Sequence, residues 1–591
     1  MRKKIVLGAG LLSLALLSVP DLWAQSESTA VSLADAHEQR GSARYQALGG
    51  AMGAVGAEFS AVNQNPASLA LFRRGNKVST TMGYTRQRGR SDWYNERLTT
   101  QGNLFNFDEL SFMSSWNTGS KLGFTAGVGM RSGGRFHRSL QAHAALEGLG
   151  ATSLADISAA VLNRMQYGRG GTQEPPLIPH SQMDGVAAYG RGHLPWLGIL
   201  GYQAGWITSN DPLGGRYYSA FTYPTAGGGL ETYSPYDAGL RIDERGAVSD
   251  FDFAFGMRVN DIFNFGATLT LVHLDYELSS TYSEGYDRFT DGRRHGLGLH
   301  NSVSISGGGA RIGLGVLVEP LRGLRLGASV YSPTVYSLKH DFAPLANGLS
   351  SFGKFYQSER PENAANSFEL RTPWRFGLSA AYVFAHKGFV SVDYEYSSLG
   401  GTRLDEARDA YGVRPSKTNP YEVDNDAISQ DFGGKSTLRL GAEWMATRRL
   451  SLRAGYTRAE QKLKNPRLSG ISGPTVEFLT PSTVLHFTLP GTRESFSLGL
   501  GYKLSPSWSL DVAYVHQMSR DKVYAFSPMA DLGPILDPAK RNAIARGLRD
   551  GFDVIDADLA RETGATWLKG LKGIDYRQDR SQMLFSVSYR F

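Results

Sequence analysis

The last ten residues, "QMLFSVSYRF" at 582–591, alternate between large apolar side chains and small or polar ones. Successive side chains of a β-strand point to opposite faces of the sheet, so this period of two predicts a strand with one apolar and one polar face. The apolar face carries Met583, Phe585, Val587, Tyr589 and Phe591.

The same alternation recurs along most of the chain. "SFSLGLGYKL" at 495–504 and "SWSLDVAYVHQM" at 507–518 repeat it, with turn residues between them. In total the pattern predicts fourteen strands, near 75–88, 104–117, 120–133, 248–260, 263–283, 302–318, 323–340, 366–384, 388–398, 434–446, 449–460, 492–504, 507–523 and 580–591.

The connections between these strands alternate in length. Strands two and three, four and five, and each later even–odd pair are separated by a few residues. The other connections are long: 89–103, 134–247, 284–301, 341–365, 399–433, 461–491 and 524–579. An even number of strands with short turns at one end, long loops at the other and an aromatic-rich outer face is typical of outer-membrane barrels. Lipid leaves no partner for an open sheet edge, so the sheet must close. We therefore expect an all-β fold, a fourteen-stranded antiparallel transmembrane β-barrel over 75–591.

The first residues predict export. "MRKKIVLGAGLLSLALLSVPDLWA" at 1–24 has a basic start and a short apolar run, as a signal peptide does, and the run is too short to span a membrane. The chain has no cysteine, and its 62 basic and 55 acidic residues are interspersed, which argues against nucleic-acid binding. We expect a monomer in the outer membrane of a Gram-negative cell, in contact with membrane lipid and lipopolysaccharide.

Residues 25–74 differ in amino-acid composition from the predicted barrel. They are rich in Gly, Ala and Ser and end in "NQNPASLALF" at 63–72, where Asn65 is placed to cap a short helix that begins at Pro66. A segment with Asn65, Pro66 and Ala67 just before a fourteen-stranded barrel resembles the hatch of the FadL/TodX family of outer-membrane transporters. The composition of the segment is typical of family members from the Bacteroidetes.

The resemblance implies a function and a mechanism. Members of this family carry long-chain fatty acids and other hydrophobic compounds inward through a lumen closed by an N-terminal hatch, here 25–74. The ligand shifts the hatch and leaves sideways near a kink in the third strand. In this chain the third strand carries Gly127, Gly129 and Gly133, and glycine inside a strand marks a bulge or bend. These glycines are the predicted lateral gate.

Two long loops carry apolar sequence. The insertion 134–247 contains Trp196, Leu197, Leu200 and Trp206, which would form either an outer capture site for a hydrophobic ligand or the packed face of a lid over the barrel mouth. In the loop 524–579 an apolar stripe at helical spacing predicts a helix that begins near Asp537.

The sequence offers little for catalysis. No nucleophile-elbow or zinc-protease motif is present, so we expect no enzyme, no cofactor and no metal, although a hydrolase with a remote Ser/His pair stays open. A heme receptor using His295 and His300 is a further alternative. So is a barrel that acts as a shuttle in a protein secretion system, which would hold exported proteins instead of lipid.

Overall fold

The computed structural model describes most of the chain from residue 27 to residue 591. The residues outside this description are 1–26, 37, 39, 74, 119–120, 169–176, 192–193, 210, 214, 225–229, 287–294, 350–354, 362–364, 385–386, 409–418, 466–467, 469–473, 475–482 and 532–563. The predicted signal peptide and the helix predicted near Asp537 lie outside the described residues.

Fourteen antiparallel strands form the wall, as the alternation predicts. They are β1 Gly75–Trp93, β2 Glu96–Thr118, β3 Leu122–Arg135, β4 Asp237–Val259, β5 Phe263–Tyr286, β6 His295–Leu321, β7 Leu324–Tyr331 continued by Val335–Leu349, β8 Ala365–Arg371 continued by Arg375–Val383, β9 Gly388–Ser398, β10 Phe432–Met445, β11 Leu450–Leu463, β12 Arg493–Lys503, β13 Trp508–Tyr524 and β14 Ile574–Arg590.

The first and last strands close the barrel. β1 pairs with β2 on one side and with β14 on the other, where Lys77 lies opposite Arg590 and Asp92 opposite Asp575. Every strand thus has a neighbour on each side. The closed fourteen-stranded barrel is confirmed.

The two faces of the wall differ as the sequence predicts. On β14, Phe585 and Tyr589 are exposed on the outside, whereas Ser586 and Ser588 are buried against the contents of the lumen. Beside the short turns, Trp116, Trp444 and Trp508 are exposed, as an interfacial aromatic girdle requires. An outer surface of large apolar side chains is stable in lipid and costly in water, so this is a transmembrane wall.

One connection is shorter than the sequence predicts. The residues 89–103 are not a long loop, because β1 continues to Trp93 and β2 begins at Glu96, which leaves a two-residue turn. Its first residue, Tyr94, has a φ of 50°, in the left-handed region that tight hairpin turns use. The fourth strand likewise begins earlier, at Asp237.

The lumen and its mouth hold the non-barrel elements. Helix α1 (Glu27–Ala34), helix α2 (Ala43–Ala47) and two 3₁₀ helices (Phe59–Asn63 and Pro66–Leu71) fill the interior. At the loop end, helices α3 (Leu154–Gly168), α4 (Trp196–Gln203) and α5 (Glu422–Asp431) pack over the mouth. No described helix is long and apolar enough to cross a membrane.

Candidate functional site

The helix Pro66–Leu71 is buried inside the barrel and tied to the wall by Asn65. The Asn65 Oδ1 accepts a hydrogen bond from the backbone N–H of Ala67 at 3.0 Å, which is the predicted cap. Its Nδ2 donates to the carbonyl oxygen of Val316 on β6 at 3.1 Å. One side chain therefore caps the start of the helix and anchors it to the barrel. The hatch role of Asn65, Pro66 and Ala67 stays a prediction.

Wall glycines let the backbone of this helix come unusually close. A Cβ placed on Gly315 would lie 2.0 Å from the Asn65 Oδ1, and one on Gly266 would lie 2.2 Å from the carbonyl carbon of Pro66. Real Cβ atoms do not approach other atoms so closely, so glycine is required at both positions. The backbone of the helix and the wall are therefore in close contact at these two positions.

The glycines of β3 fall into two groups. A Cβ on Gly127 or Gly129 would lie 2.9 Å or 2.4 Å from the ring of Phe59, so these two residues make room for that ring. Gly133 lies higher, where the register between β3 and β4 shifts between Ser132 and Gly134. Of the predicted gate residues, the structure places only Gly133 at a bend, and the gate stays a prediction.

Above this bend the backbone pairing between β3 and β2 ends. The pairing of β2 with β3 runs from Thr118 up to Glu109, which lies opposite Arg131, and no further pairing between them occurs among the described residues. The chain turns into the lumen, where the short strand Arg138–Ala145 stays paired with β4 alone. A slit therefore opens in the wall between β2 and β3.

Side chains bridge the slit and its rim faces lipid. The guanidinium of Arg135 donates to Asn106 Oδ1 at 2.6 Å and to the carbonyl oxygen of Phe107 at 3.0 Å, both on the free edge of β2. On the outer side of that edge Phe105 is 68% exposed and Phe107 is exposed as well. Because these rings belong to the apolar band, the slit starts at the depth of the bilayer and not above it.

A cavity of about 170 Å³ lies on the inner side of the bend. Arg135 and Phe136 line it, so the residues that border the slit also border the cavity. Phe136 packs edge-on against Tyr276 with 4.8 Å between the ring centroids. The apolar part of the lining consists of Val31, Phe136, Tyr276, Phe432, Phe487 and Pro490, and the charged part includes Asp35, Glu38, Arg138, Glu244, Arg493, Asp521 and Arg580.

Two cations of this cavity, Arg135 and Arg493, have no carboxylate in direct contact among the described residues. Arg493 is half-buried on the inward face of β12, and no carboxylate lies within 4.0 Å of its guanidinium in the described part of the chain. Three carboxylates act on Arg493 from a longer distance, those of Glu38, Asp35 and Asp521. Arginine holds carboxylate or phosphate through two parallel N–H donors. Arg493 also lines a second cavity of about 100 Å³ that reaches down to Gly49 and Gly50 of the hatch.

The neighbouring charges are paired. Glu38 lies 3.0 Å from Arg580 and 2.9 Å from Arg40, and Arg40 reaches Asp108 at 3.2 Å. Burial alone raises the pKa of Glu38, but the charges of Arg580 and Arg40 outweigh it and hold the pKa well below its usual value. This network joins Glu38 and Arg40 of the segment 25–74 to β14 and β2, and none of its carboxylates is in direct contact with Arg493.

His486 adds a neutral group to the same cavity. Burial, reinforced by the charge of Arg138, lowers the pKa of His486 to about 3, so the imidazole is uncharged at neutral pH. It contributes a flat, uncharged wall next to Phe487. The lining thus combines aromatic surface with two arginines, Arg135 and Arg493, that have no carboxylate in direct contact among the described residues.

The predicted capture residues are covered. Leu197, Leu200 and Trp206 are buried, Trp196 is half-buried against Phe342, and the Trp206 Nε1 donates to the carbonyl oxygen of Asn347 at 2.7 Å. No exposed apolar patch exists at these four positions. Their packing matches the lid that the sequence left open as the alternative, and a role in capture stays a prediction that requires the lid to open.

The two histidines of the heme alternative do not converge. His295 faces the lumen and is buried, whereas His300 lies on the outward face of the same strand, β6, where its Nδ1 lies 3.0 Å from Thr281 Oγ1. Residues an odd number of positions apart on a strand point to opposite faces. These side chains therefore cannot hold one heme iron together.

The sequence patterns did not predict several residues that line the cavity. Arg493 and Arg580 continue the inward faces of β12 and β14 beyond the apolar band, and extending the period of two would have placed both in the lumen. Glu38 has no signal of this kind, because it lies in a segment without regular structure.

Comparison with known proteins adds a likeness of fold. No protein-family model matches the chain, and no curated protein sequence does either. Among solved structures, the chain is similar to the toluene transporter TodX of Pseudomonas putida, with 12% identity, 94% of this chain and 99% of that chain covered, and a TM-score of 0.43. It is similar at the same identity and coverage to a FadL homologue of Pseudomonas aeruginosa, with a TM-score of 0.43, and to the toluene transporter TbuX of Ralstonia pickettii, with a TM-score of 0.42. At these values the likeness carries no argument about function.

Proposed function

We propose that this barrel resides in the outer membrane of a Gram-negative cell and carries hydrophobic compounds with an anionic group, such as long-chain fatty acids, inward from the loop end. The observation that carries the proposal is the cavity itself, which joins aromatic surface, an arginine without a carboxylate in direct contact and the inner side of a slit at bilayer depth. A compound with a carboxylate and a hydrocarbon tail matches all three features.

The path has two stages. The carboxylate binds Arg493 and the tail packs on Phe136 and Phe487, which removes apolar surface from water at roughly 25 cal/mol per Å². The tail then passes through the slit once the Arg135 bridge to β2 opens, and it enters lipid without crossing the hatch. No energy source is needed, because transfer of the tail from water to lipid is downhill.

The hatch has a supporting role in this proposal. Its helix fits the wall through Asn65 and the glycines beneath it, so it seals the lumen against water and ions. Arg493 and Glu38 line both cavities, and the lower cavity reaches Gly49 and Gly50. A ligand that breaks the ion pairs of Glu38 in the upper cavity therefore also changes the lining of the lower cavity. In this way ligand binding is coupled to the hatch.

Mass spectrometry of ligands bound to gently purified protein tests the proposal. We expect fatty acids in the wild-type protein and a loss of most of them in Arg493→Gln. The matched control is Arg458→Gln, because Arg458 is half-exposed on the outward side of the neighbouring strand β11.

Two results would overturn the proposal. The wild-type protein could retain no hydrophobic ligand and instead hold a secreted protein, which would favour the shuttle alternative. Both variants could also keep the wild-type amount of fatty acid, which would remove Arg493 from the site.

A further inference from the structure

Three arginines form a row on the outside of the barrel. Arg520 on β13 lies opposite Arg577 on β14, and Arg577 lies opposite Arg90 on β1. All three face away from the lumen, since they alternate with inward residues such as Tyr576. Like charges at directly opposed positions of a sheet destabilise it, so such a row calls for a compensating anion.

The chain supplies little of that compensation. Arg90 has Asp92 at 3.3 Å, and Asp92 also acts on Arg577 from a longer distance. The exposed Asp575 lies opposite Asp92, but no carboxylate lies within 4.0 Å of Arg520 or Arg577 in the part of the chain that is described. Threonines flank the row on both sides, as Arg90 is paired with Thr99 and the backbone N–H of Arg520 bonds to Thr492. The row is exposed and its positive charge is not balanced within it.

Further arginines connect this row to the lipid-facing band. On the outward face of β1, Tyr84 is the last apolar residue, and Arg86, Arg88 and Arg90 follow at every second position. Arg86 and Arg88 are exposed and have no carboxylate within 4.0 Å among the described residues, although Asp579 is the register partner of Arg88. The five residues Arg86, Arg88, Arg90, Arg520 and Arg577 are called the basic column below.

The height of the basic column narrows the choice of ligand. A strand rises about 3.4 Å per residue and tilts by about 40° in such barrels, so the column spans about 5 to 15 Å above Tyr84. The headgroup layer of an ordinary phospholipid adds only about 5 to 7 Å to the hydrocarbon on each side. A lipid whose phosphates are carried on sugars places them higher above its acyl chains than a phospholipid does.

The column is local to one side of the barrel. At the same height on β5, the outward positions above Leu271 are His273, Asp275 and Glu277. A general polar rim would distribute both charges around the wall. The concentration of arginine on β13, β14 and β1 instead indicates a specific anionic partner.

We propose that the basic column binds the phosphate groups of a phosphorylated glycolipid in the outer leaflet, of the lipopolysaccharide type. Its acyl chains lie on the apolar band below Tyr84, and its phosphates bridge the arginines of adjacent strands by bidentate hydrogen bonds. The site is independent of the cargo and of the slit. It fixes the barrel in a leaflet of charged glycolipid and neutralises the row of like charges.

The test uses the full chain in detergent-free nanodiscs with three probes: bisphosphorylated lipid A, the same lipid without its phosphates, and inorganic phosphate. Native mass spectrometry and a thermal melt report binding. The variant is Arg90→Gln/Arg520→Gln/Arg577→Gln, and the control is Arg241→Gln/Arg245→Gln/Lys339→Gln, which removes the same charge from outward positions elsewhere.

We expect bisphosphorylated lipid A to bind the wild-type protein and the control equally, and to bind the variant at least about tenfold more weakly. Equal binding of the dephosphorylated lipid, or an unchanged affinity in the variant, would overturn the proposal. Inorganic phosphate binding as tightly as lipid A would show an ion site in place of a lipid site. Retention of an acidic protein by the wild type alone would assign the column to that partner instead.

Discussion

The guanidinium of Arg135 lies 2.6 Å from Asn106 Oδ1, across a gap where β2 and β3 share no backbone pairing among the described residues. The Arg135 side chain therefore bridges the gap that the backbone pairing leaves between β2 and β3. If the slit is the exit, joining its two rims should stop transport. A flexible bismaleimide reacted with Asn106→Cys/Arg135→Cys is expected to abolish fatty-acid uptake, whereas the unreacted variant should transport.

The chain has no native cysteine, so the labelling is specific. The matched control is Ser306→Cys/Lys339→Cys, because these residues are register partners on β6 and β7, where the ladder is continuous. Cross-linking there should leave uptake unchanged. Full uptake after complete reaction of the slit pair would exclude the slit as the route.

A substitution that adds one methyl group to the wall, Gly315→Ala, tests how closely the helix Pro66–Leu71 fits against it. In Gly315→Ala the added Cβ would lie 2.0 Å from Asn65 Oδ1, so the motif helix must move. We expect a rise in ion conductance of the protein in planar bilayers. Gly308→Ala lies on the same strand, where the nearest atom to the new Cβ is 3.7 Å away, and it should conduct like the wild type. Equal conductance of the two variants would contradict the seal.

Acidification should weaken the folded state through His486. Its pKa is about 3 in the folded chain and about 6.5 when unfolded, so between these values the unfolded chain binds a proton that the folded chain does not. Stability is retained above pH 6.5 and falls as the pH drops towards 3, by at most about 1.4 kcal/mol per unit.

Urea unfolding at pH 7.5 and pH 4.5 measures this effect. His486→Gln should lose less stability on acidification than the wild type. His273→Gln removes a histidine exposed on the outer wall and should behave like the wild type. An identical pH dependence in all three proteins would show that His486 is not buried as described.

The orientation of the wall is tested by an arginine placed in lipid. Val512 lies on the outward face of β13 between Leu510 and Tyr514, so Val512→Arg should destabilise the barrel by roughly 2–4 kcal/mol. Leu504→Arg, beside a short turn at the edge of the apolar band, should cost about 0–1 kcal/mol. The measurement is urea unfolding in lipid vesicles. Equal costs would mean that Val512 does not face the bilayer.

The wall was predictable because lipid outside and polar contents inside impose a period of two. The prediction failed at 89–103, where β1 and β2 continue above the bilayer. There Arg90 and Asp92 face outward while Gly89 and Ser91 face inward, so neither face is apolar and the alternation disappears. Sequence patterns detect strands only as far as the two sides of the sheet differ.

The cavity was not predictable in the same way. Glu38 and Arg580 are 542 positions apart and meet only because the first part of the segment 25–74 lies beside the last strand. The slit likewise depends on where β3 stops pairing with β2. The glycines mark β3 as irregular, but only the register separates Gly133 at the bend from Gly127 and Gly129 beneath Phe59.

The most direct measurement is the anomalous diffraction of a crystal soaked with a long-chain fatty acid that carries bromine near the end of its tail. The account predicts a bromine peak between Phe136 and the slit, with the carboxylate on Arg493. A peak found only on the outer wall, or none in the lumen at full soaking, would contradict it.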